Sequence, residues 1–197
     1  MRLIRAPLFL FALVTPAVMS ASERAFPPTP VDTIEIKTLP ASRLLKATAE
    51  DADYFAASNR LFGPLFRYIS ENNIKMTSPV EAEIEPGEMI FYLGSDVSER
   101  EFASTNAVEV FTVPPRTVLS LGQRGGYSEE RFRAGVEALE NWLAQQTDWQ
   151  AAGPARAIYW HGPSTPGFMR RAEVHIPVVP RIKMDLADQT GGLSRRK

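Results

Sequence analysis

The chain has 197 residues, of which 44% are hydrophobic, 23% charged and 10% aromatic, a composition that excludes intrinsic disorder and collagen-like structure. Its 22 basic and 23 acidic residues give a net charge of −1, so the chain has no overall basic field that would hold nucleic acid or an anionic membrane. The absence of cysteine excludes disulfides, zinc–thiolate sites, iron–sulfur clusters and a thiol nucleophile.

Residues 1–21 have the features of a secretory signal peptide. Arg2 and Arg5 form a basic start, residues 8–14 (LFLFALV) form an apolar core, and small residues surround Ser20. The apolar run is much shorter than the roughly 20 residues that span a bilayer, so we expect no stable membrane insertion. Cleavage near Ser20 to Ser22 then predicts a mature protein that is exported, in a bacterium to the periplasm, or secreted.

The segments next to each end of the chain are predicted to lie outside the folded domain. Residues 22–31 contain the sequence AFPPTP and indicate an extended, proline-rich leader. Residues 180–197 are polar and indicate a flexible tail, whose basic end at residues 194–197 (SRRK) suits an acidic partner. A single domain over residues 32–179 is therefore expected.

Between these ends, short apolar runs predict strands and two longer stretches with helical spacing predict helices. In the first half, a helix is predicted over residues 53–70, with a kink or an early end at Gly63-Pro64, and strands over residues 34–37, 44–49, 75–84 and 89–94. In the second half, a helix is predicted from the N-cap Ser128 to about residue 147, and strands over residues 108–113, 117–123, 155–160 and 170–178.

The two halves have the same order of elements. Residues 38–40 (TLP) match residues 112–114 (TVP), and the helices lie about 75 residues apart. We therefore expect two β-β-α-β-β repeats, over residues of about 32–95 and 107–179. Such a pair would form a curved antiparallel sheet and leave a concave face that suits small amphipathic ligands.

Histidine chemistry is limited to two residues, His161 and His175. No nucleophile elbow, phosphate-binding loop, dinucleotide motif or metalloprotease motif is present, so the sequence predicts no enzyme. Both histidines are interpreted as structural groups. Of the two, His161 is the better candidate to ligate haem iron, because it lies in a predicted loop that can present a ring nitrogen to a groove.

Glu173 lies on the last predicted strand, where alternate side chains point inward. An inward carboxylate needs arginine or tyrosine partners, or binds a cationic ligand. The alternative is an ion pair with a neighbouring arginine at the edge of a sheet. The spacing alone leaves both interpretations open.

The first predicted helix has a broad aromatic face that includes Phe62 and Phe66. Asn59, Arg60 and Arg67 flank these rings. A flat apolar ligand with carboxylates suits this pattern, because the rings would cover the ligand and the arginines would bind its acids. Packing into the core explains the same phenylalanines equally well.

Several motifs resemble those of the SOUL haem-binding protein family. Residues 66–69 (FRYI) with 72–80 (NNIKMTSPV), residues 115–126 (PRTVLSLGQRGG), and residues 159–163 (YWHGP) with 168–174 (FMRRAEV) follow the family's motifs in order. The resemblance covers about residues 34–178. It implies an α+β fold, a distorted antiparallel β-barrel of about eight strands flanked by two helices and built from two pseudo-symmetric repeats, as in gyrase-inhibitor-like ligand-binding domains.

The resemblance also implies a binding site. Family members bind haem or other tetrapyrroles in a shallow groove between the first helix and the loop before the last strand. The positions that correspond in this chain are Asn59, Phe62, Phe66, Arg67 and Phe168, with Arg60 as a neighbour for haem propionates.

The leading hypothesis is therefore an exported protein that binds haem or another tetrapyrrole non-covalently, without catalysis, as a binding protein or carrier. A second hypothesis is a sensor or carrier of other amphipathic, cationic molecules that uses an inward Glu173. A third is a hydrolase-like enzyme in which Glu173 and Tyr159 act as acid and base. A structural or partner-binding role is the fourth.

Overall fold

The computed structural model describes residues 22–181, so the predicted signal peptide and all but the first two residues of the predicted tail lie outside the described residues. Residues 22–181 form two α-helices, α1 at Tyr54–Glu71 and α2 at Glu129–Ala144. The strands in chain order are β1 at Ile34–Leu39, β2 at Ser42–Ala49, β3 at Val80–Glu83, β4 at Gly87–Tyr92, β5 at Glu109–Val113, β6 at Arg116–Arg124, β7 at Trp149–Ala151, β8 at Arg156–Tyr159 and β9 at Arg171–Pro180.

Eight of the nine strands form one continuous antiparallel sheet in the order β1-β6-β9-β8-β3-β4-β2-β5, and the short β7 adds to β9. Each strand of the first half has a counterpart in the second half: β1 corresponds to β5, β2 to β6, β3 to β8 and β4 to β9. Counterparts lie at equal distances from the two ends of the sheet, so the sheet order is symmetric. The topology thus confirms the fold of two pseudo-symmetric β-β-α-β-β repeats. The sheet curls into a half-barrel that the two helices flank.

The helices cover one face of the sheet and leave its centre between them. Helix α1 lies against β2 and β4, and α2 lies against β6 and β9. Each helix has its own buried apolar cluster, with Leu61 and Leu65 in the first and Leu139 and Leu143 in the second. The central pair, β3 and β8, therefore forms the floor between the helices. Neither helix of residues 22–181 has the length and apolar character that crossing a membrane requires.

Helix α1 does not have the early end that is one of the two outcomes predicted at Gly63-Pro64. The helix starts after Asp53, whose side chain accepts a hydrogen bond from the Ala56 N–H at 3.0 Å, and it continues through Pro64 without interruption. Pro64 lacks the N–H that would bond to the carbonyl of Arg60 one turn earlier, and Arg60 lies on the solvent side of the helix. Water can satisfy that carbonyl, so the helix does not have to end there.

The strand predicted over residues 75–84 is shorter than expected because its first part pairs with the leader. The N–H of Ser78 donates to the carbonyl of Glu23, and the N–H of Ala25 donates to the carbonyl of Ser78, both at 2.8 Å. Only Val80–Glu83 joins the sheet as β3.

The proline-rich leader packs on the face of the sheet opposite the helices. Phe26 is 4% exposed and contacts the rings of Tyr92 and Trp160 edge to face, at centroid distances of 5.5 and 5.3 Å. These rings belong to the third apolar cluster, inside the half-barrel. The leader therefore closes the open face of the curled sheet.

Candidate functional site

An exposed aromatic pair marks the outer face of α1. Phe62 and Phe66 are one helical turn apart and stack with ring centroids 5.5 Å apart and planes 18° apart. They remain 36% and 50% exposed, whereas the neighbouring Leu61 and Leu65 are buried. The rings thus extend the apolar face of the helix beyond the core and offer a flat surface to solvent.

Phe62 anchors this aromatic pair to the sheet. Its ring meets the ring of Phe91 on β4 at 5.9 Å in an edge-to-face contact. Asn59 lies one turn before Phe62 and is exposed, so it borders the pair on the same face of the helix. The contact with Phe91 restrains Phe62, and through the stack it restrains Phe66.

The two arginines beside the aromatic pair differ in their freedom. Arg60 makes two hydrogen bonds to the carboxylate of Asp51, at 2.7 and 3.1 Å. Arg67 is exposed and, among residues 22–181, its side chain makes no hydrogen bond or ion pair. Arg67 is therefore the free cation that an acidic group of a ligand would meet first.

The loop between β8 and β9 carries a second exposed apolar group. Phe168 and Met169 are 75% and 53% exposed. The guanidinium of Arg170 fixes the loop by donating to the carbonyls of Thr165 and Pro163, both at 2.8 Å. The loop thus holds Phe168 and Met169 toward solvent on a defined backbone.

The sheet register connects this loop to the aromatic pair. Phe91, which touches Phe62, pairs with Val80 on β3, and Val80 pairs with Tyr159 at the end of β8. The loop begins directly after Tyr159 and Trp160. Two strand spacings, roughly 10 Å, therefore separate the strand beneath Phe62 from the strand that leads into the loop.

His161 is present in this loop, but its ring is occupied. Its Nδ1 accepts a hydrogen bond from the N–H of Arg171 at 3.0 Å. In the neutral ring this places the proton on Nε2, which therefore has no lone pair for iron. Ligation through Nε2 would require the other tautomer and the loss of the bond to Arg171.

The second histidine, His175, is 2% exposed, and its Nε2 is hydrogen-bonded to Glu173. Residues 22–181 contain no cluster of acidic or histidine side chains that could hold a metal ion.

Glu173 points inward, as the alternation of β9 predicts, and its carboxylate is bound entirely within the protein. Oε1 accepts hydrogen bonds from the N–H of Thr29 and from Trp160 Nε1, both at 2.7 Å. Oε2 lies 2.7 Å from Lys37 Nζ and 2.7 Å from His175 Nε2, with the hydroxyls of Ser120 and Thr29 at 3.0 and 3.2 Å. The partners among residues 22–181 are thus internal groups and a lysine, and no arginine is among them.

These contacts keep Glu173 ionised. Burial disfavours the charge, but the hydrogen bond with His175 and the ammonium group of Lys37 outweigh it and lower the pKa to about 2. Complete burial lowers the pKa of His175, so the ring is neutral near pH 7 and donates from Nε2. A cationic ligand would have to displace several of these groups to reach Glu173.

Glu173 and Tyr159 lie on opposite faces of the sheet. In the register of β8 and β9, Ile158 pairs with Glu173 and Tyr159 pairs with Ala172, and neighbouring residues of a strand point to opposite sides. Tyr159 packs beneath the helices against Tyr127 and Tyr54, with centroid distances of 4.3 and 5.8 Å. The two side chains therefore cannot act on the same substrate as acid and base.

Sequence reasoning missed a second buried carboxylate, Glu81 on β3. It accepts hydrogen bonds from the Tyr92 hydroxyl, from Arg116 at 3.1 and 3.2 Å, and from Arg156 at 2.7 Å. Burial works against the charge, but the two arginines outweigh it and lower the pKa of Glu81 to about 2. The alternation of residues 80–83 was the available signal, because it places Glu81 on the same face as Ile90 and Ile158.

Comparison with known proteins identifies the family of the chain. The family model of the SOUL heme-binding protein matches residues 24–177. Comparison with curated protein sequences found no match.

Among solved structures, the C-terminal domain of EcmrR is 13% identical with a TM-score of 0.58, over 75% of this chain and 97% of that domain. EcmrR in its complex with DNA has the same identity and TM-score, over 74% of this chain, but the chain spans only 57% of that longer protein. A hydrolase from Listeria innocua is 11% identical with a TM-score of 0.51, over 77% of this chain and 94% of that one. At such identities these structures show a shared fold. The match over most of the described residues shows that the chain belongs to the SOUL heme-binding protein family.

Proposed function

We propose that this chain is an exported protein that binds haem or a related tetrapyrrole, non-covalently and without catalysis, on the outer face of α1. The observation that carries the proposal is the stacked and exposed pair Phe62–Phe66 in a chain of this family. Export rests on the signal-peptide features of residues 1–21.

The aromatic pair supplies most of the affinity in this account. A macrocycle laid on Phe62 and Phe66 removes water from both ring faces, and burying a phenylalanine side chain fully is worth about 1.5–3 kcal/mol. Because Phe62 is held by Phe91 and stacked on Phe66, little side-chain entropy is lost on binding.

Charged and loop residues orient the ligand. Arg67 makes no ion pair within residues 22–181 and can hold a propionate, while Arg60 must share its guanidinium with Asp51. Phe168 and Met169 offer a second apolar contact from the loop between β8 and β9. When bound, haem would supply iron for ligand binding or electron transfer, and the protein residues would hold the macrocycle and shield it from water.

Titration with hemin tests the proposal. The Soret band should shift and saturate with one hemin per chain, and Phe66→Ala should weaken binding at least fivefold because it removes half of the stacked pair. Val179→Ala, which truncates an apolar side chain that is 42% exposed on β9, is the matched control and should bind like the parent. Equal binding by Phe66→Ala and the parent would place the site elsewhere.

A further inference from the structure

A cavity of about 390 Å³ opens between the start of α1 and the middle of α2, apart from the proposed tetrapyrrole site. Phe55 on α1 and Phe132 on α2 contact each other in its lining, with ring centroids 6.1 Å apart. Ile84, Val136 and Ala155 complete its apolar lining. A cavity of this size and lining can take one or two large side chains.

The rim of the cavity is acidic. Glu85, Glu137 and Glu140 line it and are exposed, and their carboxylates make no ion pair or hydrogen bond among residues 22–181. The other charged groups at the rim are already neutralised, since Glu83 pairs with Arg156 and Arg133 pairs with Glu129, both at 2.6 Å. The cavity thus combines an apolar floor with three uncompensated carboxylates.

The described chain ends beside α2. The N–H of Arg181 donates to the carbonyl of Asp148 at 2.8 Å, and its Nε donates to the carbonyl of Trp149 at 2.7 Å. Both carbonyls follow the C-terminal end of α2, the helix that also carries Glu137 and Glu140. The sequence beyond Arg181 ends in residues 193–197 (LSRRK), one apolar side chain followed by three cations.

We infer that residues 193–197 bind in this cavity of their own chain, with Leu193 on the apolar floor and the three cations at Glu85, Glu137 and Glu140. The three cationic side chains of the segment complement the three carboxylates at the rim. The tether of eleven residues, 182–192, reaches up to about 36 Å when extended, while Glu137 lies about 16 Å along α2 from Asp148. A tether of this length keeps the segment at a local concentration in the millimolar range, so even a weak contact is occupied.

Engineered cysteines test the inference directly, because the chain has no cysteine of its own. Ser194→Cys places a thiol in the segment and Ala155→Cys places one in the cavity, with the carboxylates and Leu193 unchanged. Ser194→Cys with Ala134→Cys, on the exposed side of α2, is the control pair. With diamide as oxidant, the cavity pair should form an intrachain disulfide at least tenfold faster than the control pair. Equal rates would overturn the inference.

Charge reversal provides the second arm. Glu137→Lys with Glu140→Lys, added to the cavity pair, should slow the disulfide to the rate of the control pair, as should 1 M salt through screening. Circular dichroism of each variant checks that the fold is retained. An unchanged rate after charge reversal would contradict the proposed contact, and disulfides between two chains in place of intrachain ones would overturn it as well.

Discussion

The N–H of Arg171 donates to Nδ1 of His161 at 3.0 Å, so this ring nitrogen has a partner within the protein. The sequence favoured His161 as the iron ligand because the loop exposes it. In the structure the lone pair of Nδ1 accepts the hydrogen bond from Arg171. In the neutral ring the proton is then on Nε2, which has no lone pair left for iron.

We therefore expect tetrapyrrole binding to be independent of iron. Hemin and metal-free protoporphyrin should bind with dissociation constants within about threefold of each other, because no iron–nitrogen bond adds to the affinity for hemin. His161→Ala should leave the hemin spectrum unchanged. Two results would show that His161 ligates the iron. One is a change in the absorbance spectrum of bound hemin in the His161→Ala variant. The other is a tenfold loss of hemin affinity in this variant without a loss of protoporphyrin affinity.

The two arginines of α1 should contribute unequally. Arg67→Ala should weaken hemin binding roughly fivefold, about 1 kcal/mol, because it removes an unpaired cation at an exposed site. Arg60→Ala should have a smaller effect, since Asp51 already occupies that guanidinium. Titrations at low and high salt should show that the effect of Arg67→Ala diminishes with screening. The reverse ranking of the two variants would contradict the assignment of the propionate partner.

Stability should fall in two stages as the pH decreases. His175 has a lowered pKa in the folded state, so its contribution is complete above its usual value of 6.5 and is lost as the pH falls below that value. Glu81 and Glu173 have pKa values lowered from 4.5 to about 2, so their stabilisation is complete above 4.5 and is lost between 4.5 and about 2.

Urea unfolding at several pH values measures both stages. Each carboxylate should contribute about 3 kcal/mol, since one pKa unit corresponds to about 1.4 kcal/mol. His175→Gln should remove the decline that begins below pH 6.5 and keep the decline below 4.5. A free energy of unfolding that stays constant from pH 7 to 3 would contradict the account of both carboxylates.

The leader should be part of the stable fold. Phe26→Ala should destabilise the protein by about 3–5 kcal/mol, because it empties a position against Tyr92 and Trp160 that is 4% exposed. Phe168→Ala makes the same chemical change at a position that is 75% exposed and should cost less than about 0.5 kcal/mol. The midpoints of thermal unfolding of the two variants provide the comparison, and similar midpoints would show that the leader is dispensable.

The fold was predictable because each half has its own periodic pattern and the halves repeat. The N-cap Ser128 lies where the sequence indicates, and the first helix starts at Tyr54, within one residue of its predicted start. Strand β7 was missed because its three residues have no period of their own and pair only with β9.

The site was less predictable because its contacts join distant parts of the chain. The alternation of β9 predicts that Glu173 points inward, but its partners Thr29 and Lys37 lie 144 and 136 residues away. Likewise, helical spacing places Phe62 and Phe66 beside Leu61 and Leu65, and only the position of α1 over β2 and β4 decides which of them remain exposed.

Paramagnetic broadening by ferric hemin tests the central claim most directly. In amide correlation spectra of the isotope-labelled protein, we expect stoichiometric hemin to broaden the signals around Phe62, Phe66 and Phe168 first, and Phe66→Ala to weaken this broadening. Broadening centred on Phe55 and Phe132 instead, or broadening without any preferred region, would contradict a tetrapyrrole site on the outer face of α1.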